Sequence, residues 1–169
     1  MDLTDRLIAH DEWMTRRLLD RARELTESQL DTPLGVFKAP LPFDHSEDTL
    51  RAALARMIFT KEVWTAAVFG RKLPDEADNS LDGLSRRLDV AFSEFAGIVR
   101  SVRDENRWDE SFVDGVCTPP ETFTFGGMIS HVVTFSAYRR SIALKIMESL
   151  GLKDLGYGDP IEWERSLSK

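Results

Sequence analysis

The stretch SLDGLSRRLDVAFSEFAGIVRSV, residues 80–102, decides the fold class. Leu81, Leu84, Leu88, Ala91, Phe92, Phe95, Ile98, Val99 and Val102 recur mostly at steps of three and four, and most positions between them are charged or small. Side chains three and four apart share one face of an α-helix, so the pattern predicts a long helix with one buried stripe. Ser80 stands where a hydroxyl can accept from an orphan N–H of the first turn.

The same reading extends outward. Leu3, Leu7, Met14, Leu18, Ala22 and Leu25 predict a first helix from about Thr4 to Leu25, capped by Asp2 or Thr4. Residues 26–45 hold Pro33, Gly35, Pro40 and Pro42, which fix backbone angles and remove donors, so this is a loop. Its Leu34, Val36, Phe37, Leu41 and Phe43 are too apolar for free solvent and are expected to lie against the helices. A second helix is expected to begin near Ser46, with Leu50, Leu54, Met57, Ile58, Trp64 and Val68 inward and Gly70 as its terminator. The stretch 103–124 is irregular and contains Pro119 and Pro120, with short extended pieces near 111–116 and 122–125. A fourth helix starts near Phe125 or Gly127, ends before Gly151, and buries Met128, Val132, Phe135, Ile142, Ile146 and Leu150. The tail DLGYGDPIEWERSLSK is rich in turn residues, and Ile161 and Trp163 are expected to fold it back onto the helices.

Four amphipathic helices of about 20 residues bury their stripes most economically around one axis. The expected fold is therefore all-α, an antiparallel four-helix bundle in one domain over residues 1–169. The long first and third connections leave room for an order other than simple up and down.

Composition narrows the function. The net charge is -7 and the pI about 5.0, so the surface repels phosphate backbones and nucleic acid is not an expected partner. A single cysteine, Cys117, excludes an internal disulfide and any zinc site built from several thiolates of one chain. The expected compartment is reducing, the cytoplasm. The opening MDLTDRLIAHDEW lacks the basic start and unbroken apolar core of a signal peptide. No apolar run is long enough to span a bilayer, so no membrane is expected.

Metal ligation needs His, Cys or carboxylates converging at about 2.0–2.3 Å. The histidines are His10, His45 and His131, and none has another within helical reach. Three segments nevertheless resemble the DinB/YfiT-like helical-bundle family: His10-Asp11-Glu12-Trp13 with Thr15-Arg16-Arg17-Leu18-Leu19, then LARMIFTKEVWTAAVFG, then FTFGGMISHVVTFSAYRRSIALKIMESLG. Their order and spacing carry the resemblance, which covers most of the chain. It implies a bundle in which three histidines, one from the second helix and two from the last, hold a divalent metal, often nickel or zinc. Carried over, the last-helix positions fall on His131, Phe135 and Arg139, and the second-helix ligand on Arg56 or Met57. Phe135 cannot ligate, and Arg139 and Arg56 stay protonated and repel a cation. The resemblance therefore leads to a degenerate metal site with no cofactor expected; any metal would be Ni or Zn.

His131, Phe135 and Arg139 lie four residues apart and share a helix face. With Arg56 opposite, they form the candidate pocket, for a small anionic ligand or for internal ion pairs to Glu62, Asp11 or Glu12. His10 is the remaining candidate, through an alternative metal site with His131 and carboxylates. The family also implies a homodimer. The expected function is a small-molecule-binding or interaction domain; the alternative is a metal-dependent thiol S-transferase or isomerase using a low-molecular-weight thiol. Cys117 lies in a proline-containing loop and reads as incidental.

Overall fold

The computed structural model describes residues 1–33, 49–73 and 77–168. Within them the chain is mostly helical: α1 (Leu3–Ala22), α2 (Glu27–Leu30), α3 (Leu50–Phe69), α4 (Leu81–Asp104), α5 (Phe125–Ser149) and α6 (Pro160–Leu167). One antiparallel hairpin, β1 (Ser111–Asp114) with β2 (Glu121–Thr124), sits between α4 and α5, with Phe112 opposite Phe123. No helix among the described residues is long and apolar enough to cross a membrane.

Each long helix starts where a side-chain oxygen accepts a first-turn N–H: Asp2 for α1, Thr49 for α3, Ser80 for α4 and Thr124 for α5. Gly70 ends α3 with φ 61°, a left-handed turn that costs glycine little. Every residue of the stripe in 80–102 is buried, and this face of α4 meets α1 and α3. The remaining neighbours are α3 with α5 and α5 with α1, so the four long helices contact one another in a ring.

Ion pairs fix the directions. Arg103 near the end of α4 pairs with Asp2 and Asp5 at the start of α1, Asp89 pairs with Arg16, and Asp82 pairs with Arg23, so α1 and α4 run oppositely. Lys61 meets Ser136 while Trp64 meets His131, so α3 and α5 also run oppositely. By contrast Glu62 pairs with Arg87 and Arg71 with Glu94, so α3 and α4 are parallel neighbours. It follows that α1 and α5 are parallel too. The order is up, down, down, up rather than alternation of consecutive helices. The connection from Phe69 to Leu81 spans residues 70–80. Those eleven residues can reach roughly 36–40 Å, enough to run back along a helix of about 30 Å.

Several sequence expectations need correction. Leu3 and Leu7 are exposed, because the inward face of α1 runs through Ile8, Asp11, Met14, Leu18 and Ala22 instead. On α5, Phe135, Ile142 and Leu150 are only half-buried, and Ser136, Arg139, Arg140, Ala143 and Met147 take the inner face. On α3, Trp64 and Val68 are half-buried, whereas Lys61 and Thr65 are inside. In each case an apolar-only reading rotated the stripe, because polar residues occupy part of the buried face. The stretch after α1 contains α2, held by a reciprocal cap between Thr26 and Gln29. The expected helix start at Ser46, the apolar loop residues 34–43 and His45 lie outside the described residues.

The tail packs on α1. Pro160 opens α6, Asp159 caps it, and Trp163 is buried. Ile161 is exposed, because two residues along a helix turn a side chain to the far side.

Candidate functional site

The buried stripes of α1, α3 and α5 each carry a charge at one level of the fold. Asp11 is 2% exposed, Lys61 0% and Arg140 5%. Lys61 Nζ stands 2.8 Å from Asp11 Oδ2, off the hydrogen-bonding direction, and Arg140 Nη1 donates to Asp11 Oδ1. Lys61 also donates to Ser136 Oγ at 3.2 Å. Thr15 Oγ1 donates to the Asp11 carbonyl at 2.8 Å, and Thr65 Oγ1 to the Lys61 carbonyl at 2.9 Å. Burial alone would raise the Asp11 carboxyl, but the nearby charges of Lys61 and then Arg140 outweigh it and hold it below the ordinary carboxylate value. Two cations share one carboxylate, so among the described residues this buried cluster carries one positive charge in excess.

Beside it on the α3–α5 side lie the positions singled out in the sequence. His131 is half-buried, stacked on Phe135 at 4.4 Å between ring centres and met edge-on by Trp64 at 5.5 Å. Burial, and then the charge of Arg139, lower the His131 pKa, so the ring is neutral at pH 7. Arg139 is buried with its guanidinium carbon 5.1 Å above the Phe135 ring. Arg56 is half-buried and lies 5.2 Å over Phe59. Both arginines carry further interactions of their own, so neither is an idle cation. His131, Phe135 and Arg139 thus share the face that their spacing implied.

The expected carboxylate partners are engaged elsewhere. Glu62 accepts two hydrogen bonds from Arg87 of α4, at 2.8 and 2.7 Å, because its phase on α3 turns it toward α4. Glu12 accepts from Arg16 at 2.7 Å, and Asp11 belongs to Lys61 and Arg140. His10 is not part of the His131 group: its Nε2 lies 3.0 Å from the Gly158 carbonyl, among Trp13 and Trp163. Met57, the other residue at the second-helix ligand position, is core.

The residues at the family's ligand positions do not fit a metal, since an arginine guanidinium over a phenyl ring supplies no donor pair. Among the described residues no group of three or more His, Cys, Asp or Glu is placed to hold one. Cys117 donates to Asp114 at 3.2 Å; that hydrogen bond, then burial, push its thiol up to about 11, far from a reactive thiolate.

Lys61, Ser136 and Arg140 were missed by reading apolar residues alone. The signal was present: Asp11 sits between Ile8 and Met14, Lys61 between Ile58 and Thr65, and Arg140 between Ser136 and Ala143, each at the spacing of a buried stripe. No family model, no curated protein and no solved structure matches this chain.

Proposed function

We propose that this chain is a DinB/YfiT-like four-helix bundle whose metal position has passed to protein cations, and that it serves as a binding domain for a small anion. The observation that carries the reading is the Asp11–Lys61–Arg140 cluster, where, among the described residues, one carboxylate answers two buried cations. A positive field in a low-dielectric interior attracts an anion more strongly than the same charge in water. Arg139 is next to Arg140 in the chain and lies over Phe135, which stacks on His131. There an anion would meet guanidinium donors and an imidazole. The contact between α3 and α5 supports the family reading, which sets the second and last of the four long helices against each other. Pairing of two copies and a cytoplasmic setting belong to the same proposal.

Calorimetric titration with inorganic phosphate, sulfate and acetate at low salt tests it. One of these anions is expected to bind and raise Tm, and Arg139→Met is expected to weaken that effect about tenfold or more, the loss of one charge-assisted contact. If none of the three releases heat or shifts Tm, the anion reading fails. Stoichiometric nickel or zinc in the purified protein would instead favour the metal-dependent thiol transferase.

A further inference from the structure

The C-terminal segment is fastened to α1 by contacts that do not resemble ordinary tail packing. Arg6 pairs with Glu164 and Arg17 with Glu162, so two ion pairs tie α6 to α1. Between these two ion pairs His10 Nε2 faces the Gly158 carbonyl at 3.0 Å. A carbonyl only accepts, so Nε2 must carry the proton and donate. Gly158 is wedged into the α1–α5 seam: a Cβ there would fall 2.7 Å from Met14 Cε and 3.6 Å from Leu144. Met14 and Leu144 are about one turn beyond Asp11 and Arg140. Trp163, 4% exposed, closes over the same place with its ring 6.3 Å from His10.

The approach to this contact is irregular and takes left-handed turns. Asp154, Gly156 and Gly158 have φ of 56°, 73° and 67°, and no regular element lies between α5 and α6. The segment is a short helix after an irregular stretch, held by two partly exposed ion pairs, by the His10 contact and by the buried side chains of Leu155 and Trp163. Partly exposed pairs contribute little. The histidine is the group whose state changes in mild acid.

We propose that residues Leu155–Leu167 form an acid-released latch over the α1–α5 seam, with His10 as its trigger. Protonation puts a second proton on the buried imidazole, which meets one acceptor, the Gly158 carbonyl, among the described residues. It also adds a cation beside Arg140, whose charge opposes that of Asp11 and Asp159 on the ring. The groups facing His10 are Asp11 on α1, Arg140 on α5 and Asp159 with the Gly158 carbonyl on the tail; Arg17 and Glu162 flank the contact. Burial lowers the His10 pKa most; the Gly158 bond raises it, Arg140 lowers it, and Asp11 and Asp159 raise it, leaving a net value below ordinary histidine. The sign follows. A histidine docked with a depressed pKa holds the latch fully closed above about pH 6.5, and the docking weakens as pH falls below that. Glu162, in the ion pair with Arg17, is held below the ordinary carboxylate range and keeps its charge across the window between pH 7 and pH 5. The latch stands independently of the anion reading.

Hydrogen exchange on the full chain, corrected for the intrinsic pH dependence, tests the latch. Amides of residues 155–167 are expected to lose protection about tenfold for each unit of pKa depression between pH 7.5 and 5, while α3 and α4 keep theirs. His10→Gln retains an N–H donor but cannot take a proton, so its tail protection should stay level over that range. Equal pH dependence in wild type and His10→Gln overturns the proposal. If the variant does not fold, the wild-type NMR titration decides: the His10 ring and the Gly158 amide must share one midpoint below pH 6.5, and separate midpoints refute the trigger.

Discussion

Replacing Asp11 by Ala leaves Lys61 and Arg140 buried with no carboxylate between them. Removing one partner of a buried charge cluster typically costs about 3–5 kcal/mol. Asp11→Ala is therefore expected to lose that much in denaturant unfolding, whereas a triple change to Asp11→Leu, Lys61→Met and Arg140→Leu, similar in volume, should come close to wild-type stability. A triple variant as damaged as the single one would show that the cluster does more than neutralise itself. The carboxyl of Asp11 is held below its ordinary value, so its pairing stabilises the fold above about pH 4 and is lost as pH falls through the folded value. Acid unfolding should accordingly flatten in the triple variant. His131 gives the opposite handle. Its pKa is lowered in the free protein, so it gains a proton only below about pH 6.5. A bound anion at its face would favour that protonation, and phosphate or acetate affinity should rise as pH falls from 7.5 toward 6. A pH-independent affinity would remove His131 from the site.

Helix ends and helix faces were legible in the sequence to different degrees. The caps at Asp2 and Ser80, the stop at Gly70 and the extended pieces flanking Pro119 rest on local chemistry, and the structure shows all of them; the cap at Thr124 was not read. Gly70 has a positive φ and open space around a would-be Cβ, so Gly70→Ala should cost only the backbone penalty, about 1 kcal/mol, measured by thermal unfolding. The faces were harder. On α4 the buried stripe is wholly apolar and was read correctly; on α1, α3 and α5 it includes Asp11, Lys61, Ser136 and Arg140, which hydrophobic periodicity counts as outside. A charge is tolerated there because a partner on another helix meets it, and that meeting is a property of three helices rather than of one segment. The same limit explains why Glu62 stood among the possible partners of the pocket arginines when the turn of α3 hands it to Arg87.

At the scale of the whole molecule, the buried faces are held by side-chain packing and by the ion cluster, with no ligating set among the described residues. A chelator is expected to leave Tm unchanged, since a metal linked to folding would lower it on removal; a large drop would locate a structural metal that the sequence conceals. The directions of the four helices could not be read from segments, because the linker 70–80 is long enough for a hairpin or for a return along the helix. Ion pairs between α3 and α4 settle it. The parallel course of α1 and α5 also bears on how the chain is made. Asp11 and Arg140 are 129 residues apart in sequence, so the seam between them closes a very large loop, and helical proteins with such distant contacts fold more slowly than those with local ones. During synthesis from the N-terminus the first three long helices emerge with Lys61 and Asp11 exposed to water or to each other. Until residue 140 leaves the ribosome, a nascent chain has the surfaces of this domain without its closing helix, the interval in which a holding chaperone would find it.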